Sequence, residues 1–393
     1  MANSILTPTA VTREALRIAH EMLSFTNTTS LQYDSSFAKN GGKIGENLKI
    51  RLPNQYTVRT GKTLNAQDTT ENSVTLTVAT QKGVDMVFSS AELTLEMDDF
   101  SKRILRPAMA VLCSNIESAY LSYVTKKVWN AVGTAGTLPT FAQIGLGRAK
   151  LNQALAPKDS DRSFQLESVD ASGIVAALSG LFHDSKEISK QYREGMMGRS
   201  LGLDWYENER VYAHTLGADI SGTINDTLAH GDTTVTTSSV TMTAGDVFDF
   251  GSTCKAVHPE TKATLAHNKQ FVCTVATSGN SITFDPPIYS SGPLQNVSGL
   301  PASGQTITVY GTTASTVVPQ HLMYHKEAFA MATADLEMPS GVDFAAREVF
   351  DGLSIRVVRQ YDISSDNFPC RIDILHGYEA IRPAWACRVY GDY

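Results

Sequence analysis

Basic charge is scarce in this chain. Its 33 Lys and Arg stand against 40 Asp and Glu, a formal net charge of −7. That argues against a dedicated DNA or RNA binder, which carries a basic footprint. Cysteine is scarce too. Five in 393 residues cannot make a disulfide scaffold, and the odd count leaves at least one thiol unpaired. No apolar run reaches the roughly 18 residues of a membrane span. The opening stretch, MANSILTPTAVTREALRIAHEML, carries Arg13, Glu14, Arg17 and Glu21, where a secretory signal would be apolar. The signatures GxSxG, Walker loop and HExxH are all missing. The expectation is a soluble protein of a reducing compartment, with no membrane partner, no cofactor and no enzymatic activity. Hydrophobic residues make up 42% of the chain, enough for two to three domains with sizeable cores.

Isolated residues of reactive type are present, and each has a plainer explanation. His321 and His325 have helical spacing, but Leu322 stands where a zinc protease needs Glu, so they read as ordinary polar side chains near a strand end. Cys254, His258, His267 and Cys273 fall within 20 residues, at spacings that fit no compact zinc knuckle, so no metal is expected. Gly145-Leu146-Gly147 lies in a helical pattern with no preceding strand, which excludes a dinucleotide fingerprint. Cys113 reads as a small core residue. The sequons at Asn27, Asn225 and Asn296 read as chance matches without a secretory signal. The acidic run at residues 96–99 suits helix capping better than acid–base catalysis. Lys39, Lys43, Lys49, Arg51, Arg59 and Lys62 gather with only Tyr56 as an aromatic among them, so a solvated or partner-facing surface is the better reading. No catalytic, cofactor-binding or metal site is assigned.

The patterning describes an assembly part. Thr12 can cap a first helix carrying Ala15, Ile18, Ala19 and Met22, with a loop over residues 25–30. Residues 47–59 alternate, Pro53 interrupts, residues 60–72 form a polar tip, and Val74, Leu76 and Val78 alternate on the return. This is a β-hairpin arm too polar to make its own core. A further strand is expected over residues 84–89. A long spine helix is expected from Pro107 to Val132, capped by Asp98 or Asp99, apolar at Ala108, Leu112, Ile116, Ala119 and Tyr123, and ended by Gly133. Its 26 residues would span roughly 39 Å. Residues 140–220 read as α/β. Residues 221–315 hold 18 Thr and 11 Ser but nine charged side chains, in short alternating runs, and predict an all-β barrel or sandwich. The α/β texture then returns, with a helix over residues 326–334, strands over 353–360 and 371–375, a turn at 377–382 and a last strand at 384–389. A domain split by an insertion is the simplest account.

Two stretches carry a family resemblance. The C-terminal DGLSIRVVRQYDISSDNFPCRIDILHGYEAIRPAWACRVYG, with its Ile381-Arg382-Pro383-Ala384-Trp385-Ala386 return, resembles the end of the axial domain in the major capsid protein of tailed bacteriophages, the Hong Kong-97 type capsid fold. GDVFDFGSTCKAVHPETK…FVCTVA…SITFDPPI, residues 245–288, is similar to the inserted β domain of short-tailed (P22-like) phage coat proteins. The resemblance implies an α+β fold with an N-terminal arm (1–30), an extended loop with peripheral strands (31–95), the spine helix (96–139), a first axial part (140–220), an inserted β domain (221–315) and a second axial part (316–393). It further implies self-assembly into the hexamers and pentamers of an icosahedral virion capsid. Assembly would take place in the host bacterial cytoplasm with a scaffolding protein and a portal. The shell would enclose double-stranded DNA without gripping it, and a decoration protein is a further candidate partner. Glycines 41, 42, 45 and 61 would let the arm bend. The alternatives are a hydrolase with a β accessory domain and a surface-binding β-domain protein.

Overall fold

The computed structural model describes residues 8–34, 47–64, 66–67, 72–89, 104–178, 198–238, 240–277, 280–311, 314–350, 352–364 and 367–392. The chain divides into two compact units. One holds residues 1–50, 73–120 and 329–381, and the other holds 51–72, 121–328 and 382–393. The expected block 316–393 is therefore shared between the two.

In the first unit the strand Asn367–Ala380 is the axis of a six-stranded sheet. Thr80–Ser89 pairs along one edge of it, and Phe329–Ala334 and Leu353–Arg359 pair along the other. Ser30–Asp34 joins Phe329–Ala334 in parallel, and Phe344–Phe350 joins Leu353–Arg359. Alternation gives the axial strand two different faces. Ile372, Ile374, His376 and Tyr378 share one, and Tyr378 stacks on Tyr120 of the helix Arg106–Lys127 at 5.1 Å. Arg371 and Asp373 share the other, where Arg356 meets Asp373 at 2.7 Å and Arg371 meets Asp85 at 2.9 Å.

The helix Pro8–Met22 packs on the strands Phe344–Phe350 and Leu353–Arg359. Ala15, Ile18 and Ala19 are buried as expected. Thr12 is not a cap, because the helix begins one turn earlier and Thr12 is buried within it. The expected loop at 25–30 is instead a short helix, Ser24–Asn27, followed by a strand from Ser30. Buried Glu117 of the spine helix accepts hydrogen bonds from the Phe25 amide and the Ser24 hydroxyl, which caps that short helix.

The spine helix spans Arg106–Lys127, with Pro107 in its first turn, where no intrahelical amide is lost. Its 22 residues measure about 33 Å, shorter than expected. Ala131 and Val132 leave the helical pattern because they pair in parallel with the C-terminal strand. The buried stripe runs through Met109, Leu112, Cys113, Ile116, Tyr120 and Val124, while Ala108, Ala119 and Tyr123 are half-buried. The proposed caps Asp98 and Asp99 lie outside the described residues.

Two further expectations fail. Residues 329–334, expected as helix, form the fully buried strand Phe329–Ala334, paired on both edges. Long-range pairing overrides local helix propensity there. Gly377, expected in a turn, lies inside the axial strand. A Cβ there would sit 2.1 Å from the Thr77 carbonyl oxygen, so this glycine serves close approach, and the turn comes later, at Pro383–Trp385.

The second unit is built on a seven-stranded mixed sheet. Its order is Ala131–Val132, Ala386–Tyr390, Val317–His325, Arg162–Leu166, Leu203–Glu207 and Arg199–Ser200, and Ala213–Thr215 pairs the start of Val317–His325. The helix Phe141–Gln153 packs on it behind a Thr140–Gln143 capping box. Close packing explains Gly147, whose Cβ would meet Met323 and Val132 at 3.3 and 3.4 Å. Ile144, Leu151, Phe164, Leu203, Met323, Cys387 and Val389 fill the core. Residues 173–178 belong to a helix, Ser168–Leu178.

Between these strands the chain makes a barrel. Its six strands run Ser221–Thr223, Thr306–Val309, Val247–Asp249, Gln270–Cys273, Ser281–Asp285 and Thr234–Thr236, and an Ile224–Thr237 bridge closes the ring. Phe248, Phe250, Phe271 and Phe284 meet in its centre, at ring separations from 5.1 to 6.1 Å. The chain enters and leaves side by side. Thr215 pairs with Val317, and the Leu216 amide bonds the Thr316 carbonyl at 2.9 Å.

Gly377→Ala is expected to destabilise the first unit by about 2 kcal/mol or more, because backbone rather than a yielding side chain blocks the added methyl. A urea midpoint equal to wild type would show that the strands part without strain.

Candidate functional site

A buried polar constellation lies where the barrel meets the mixed sheet, within the second unit. Asp246, at the start of the barrel strand Val247–Asp249, is fully buried. One carboxylate oxygen accepts from His214 Nε2 at 2.8 Å. The other accepts from the Thr243 amide at 2.7 Å and the Gly217 amide at 3.1 Å. The Tyr212 hydroxyl lies 3.2 Å from His214 Nδ1. This places the imidazole proton on Nε2, facing Asp246, with Nδ1 accepting from the phenol. Burial pushes the His214 pKa down, and the opposing pull of Asp246 is the smaller effect. His214 is therefore neutral at neutral pH, and Asp246 is held by three donors.

Arg388 of the C-terminal strand reaches the same place. It is fully buried and donates to the Gly245 carbonyl at 2.6 Å. Burial pushes its pKa down to about 10, which still leaves the guanidinium charged. Gly245 has φ +109°, and a Cβ there would press on Lys126 and His214, so only glycine fits this corner.

A second polar group lies beside the first. The Gln270 carboxamide forms a closed pair with the Ala131 backbone, donating to its carbonyl at 2.9 Å and accepting from its amide at 2.9 Å. Lys150 Nζ donates to the Ala131 carbonyl at 2.8 Å and to Gln270 Oε1. Burial lowers the Lys150 pKa. Apolar Ala131, Ala135, Leu216, Val247, Val318 and Tyr390 pack around the seam. Several of its polar groups bond the backbone of facing elements, while Arg388 Nε and Nη2 are buried without a partner. Chemically this arrangement positions the barrel and presents no activated nucleophile.

His321 and His325 lie on one face of the strand Val317–His325, both buried. His321 Nε2 meets Asp170 at 2.5 Å, and His325 Nε2 meets Asp159 at 3.2 Å. They are thus buried partners of carboxylates, not ordinary strand-end side chains. Asp170 also accepts the Asp392 amide at 3.1 Å, which ties down the chain beyond the last strand.

Cys254 and Cys273 point into the barrel core and donate to the Gly299 and Val275 carbonyls. Burial raises both thiols to about 12. His258 Nδ1 accepts from the Glu260 and Thr261 amides. Burial and neighbouring lysines depress His267 to about 4. Among the described residues no three or more His, Cys, Asp or Glu are grouped to hold a metal. Cys113 is buried on the spine helix. Asn27 and Asn296 bond backbone carbonyls, and the Asn225 amide bonds the Thr236 carbonyl. Lys49, Arg51, Arg59, Lys62 and Tyr56 are exposed, and Lys39, Lys43 and residues 96–99 lie outside the described residues.

Sequence reasoning missed His214, Asp246, Gln270, Lys150 and Arg388. The available signal was polar residues inside otherwise apolar strands, as in Val247–Asp249 with its flanks and in Ala386–Tyr390. Asp246→Ala would leave two amides and an imidazole N–H buried without an acceptor. A loss of about 3 kcal/mol or more is expected in the thermal or urea stability of the second unit, and an unchanged midpoint would remove the seam from the stability account.

A family model described as the P22 coat protein, gene protein 5, matches residues 20–388. Comparison with curated proteins gives no match. Among solved structures, the chain is similar to one from Mycobacterium phage Che8, at 10% identity over 93% of this chain and 90% of that one, with a TM-score of 0.44. It is also similar to the capsid of cyanophage P-SCSP1u, at 10% identity over 92% and 86%, TM-score 0.45. The capsid of the native GTA particle gives 10% identity over 95% and 91%, TM-score 0.46. The family assignment rests on the family model, which spans nearly the whole chain. The chain belongs to the P22 coat protein family: it is a structural capsid protein of the tailed-bacteriophage kind, with an α+β fold, and not an enzyme.

Proposed function

We propose that this coat protein builds an icosahedral head around double-stranded phage DNA, assembling as hexamers and pentamers in the bacterial cytoplasm. A separate scaffolding protein and a portal would take part, and a decoration protein is a further candidate partner. The observation that carries this reading is the arm. The strands Asn47–Arg51 and Ser73–Thr77 pair with each other. Beyond them, Tyr56, Val58 and Leu64 are 56%, 95% and 81% exposed. Apolar side chains presented on an extended arm suit a surface on another subunit. Gly61, at φ +105° with open space around it, lets such an arm bend at non-identical positions.

Regional roles follow from the same reading. Residues 1–30 serve as the N-terminal arm, 31–95 as the extended loop and peripheral strands, and 96–139 as the spine. Residues 140–220 and 316–393 make the axial domain, and the barrel at 221–315 acts in subunit folding or contacts across capsomers. The net charge of −7 suits a wall that holds DNA loosely, since strong phosphate contacts would hinder packaging and ejection.

Co-expression with a scaffolding protein is expected to give megadalton spherical particles by electron microscopy. A stable monomer or dimer alone would sink the proposal. Deleting residues 60–72 is expected to leave a soluble chain that closes no shells. Normal particles from that variant would show that the arm is not a clasp between subunits.

A further inference from the structure

His376 is fully buried in the middle of the axial strand of the first unit. It faces the spine helix together with Ile372, Ile374 and Tyr378. Its ring lies 5.9 Å from that of Tyr378, which in turn stacks on Tyr120. Across the sheet it faces Thr333 on one side and Thr80 on the other. The next residue, Gly377, lies against the Thr77 backbone, so this crossing has no slack.

No side chain bonds either ring nitrogen of His376, and the Ile374 backbone offers it a weak hydrogen bond short of ordinary geometry. A buried imidazole ordinarily has at least one of ordinary geometry. His214, His321 and His325 in the other unit each hold an aspartate. Among the described residues His376 has no such carboxylate. Asp373 and Glu379 alternate to the far face of its own strand, and Asp373 is paired with Arg356. On Thr80–Ser89, Asp85 pairs with Arg371 on that same far face. Glu117 of the spine helix accepts from Phe25 and Ser24. Asp335, beyond Phe329–Ala334, holds Ser354 and Arg347. Phe329–Ala334 itself has no ionisable side chain. The phenols of Tyr120 and Tyr378 are uncharged at neutral pH. The cation on this face is Lys82, whose Nζ bonds the Asn115 side chain of the spine helix at 2.7 Å.

We propose that His376 is an acid-sensitive release for the spine helix: protonation puts an uncompensated cation beneath the Tyr120–Tyr378 stack and loosens the helix from its sheet. Burial first, and Lys82 second, hold the ring down to about 4 against an ordinary 6.5, with a smaller opposing pull from the Ile374 backbone. A base with its folded pKa below its unfolded one contributes full stability above pH 6.5 and loses it as pH falls from 6.5 toward 4. At pH 5 those two values correspond to about a thirty-fold loss in the folding equilibrium.

The test compares the full chain with His376→Leu at pH 7.5 and pH 5.0, in urea, by hydrogen exchange on the spine-helix peptides. Trp129, Trp205 and Trp385 all lie in the second unit, so their fluorescence is an internal control. Acid is expected to weaken spine-helix protection in the wild type about thirty-fold more than in His376→Leu, while both keep the same tryptophan transition. Equal pH dependence in the two chains would overturn the proposal. If His376→Leu does not fold, His376→Gln, neutral at both pH values, serves in its place. Lys82→Gln is expected to shrink the acid effect, since it removes the like charge that favours the neutral ring. An acid effect at least as large as in wild type would count against the assigned geometry.

Discussion

The larger unit depends on one buried carboxylate that has to satisfy both its oxygens without water. Asp246 does so with an imidazole N–H and two backbone amides, drawn from the strand before the barrel, the segment leading into it and its own turn. A buried charge lacking any of those donors is strongly unfavourable, so the three segments are held in one arrangement. The seam thereby fixes which way the barrel leaves the sheet. Arg388 on the Gly245 carbonyl and Gln270 on Ala131 act in the same sense, using side chains to complete backbone hydrogen bonding where one fold meets another. Generic apolar packing would bury the same area with less directional specificity.

The smaller unit solves a different problem. One strand must serve two environments, and period-two alternation lets it do so. Its even-numbered residues meet the spine helix through apolar and aromatic side chains. Arg371 and Asp373, on the other side, enter a ladder of arginine and aspartate pairs. Gly83 and Gly377 supply the close approaches. A Cβ at Gly83 would lie 2.3 Å from the Asp373 carboxylate, and one at Gly377 would enter the Thr77 carbonyl. The absence of a side chain is here a packing requirement.

Membership of a coat protein family gives the chain a structural role. Histidines that looked like spare polar groups are held by aspartates, and the thiols of Cys254 and Cys273 are core residues bonded to carbonyls. Polar chemistry in this chain is used to hold elements in position. Apolar side chains are exposed on the arm at Tyr56, Val58 and Leu64, and elsewhere at Val111, Val169 and Ile363.

Much of the architecture was legible because it rests on local pattern. The first helix, the paired arm strands, the spine helix and the Thr-rich barrel follow from period, turn residues and composition, which act within a few residues of the chain. Residues 329–334 were not legible: their sequence favours helix, and only pairing with partners about 300 and 45 residues away makes them a strand. Gly377 was misread because a glycine needed for close approach looks the same in sequence as one needed for a turn. The seam of Asp246, His214, Gln270, Lys150 and Arg388 was invisible because its members lie up to 238 residues apart, and no local rule brings them together. By itself the sequence determined most of the elements and the class of protein, since these depend on short-range periodicity and on composition. Tertiary structure alone decided which polar groups are buried and which histidines pair with aspartates, because burial and charge pairing arise only when distant segments exclude water between them.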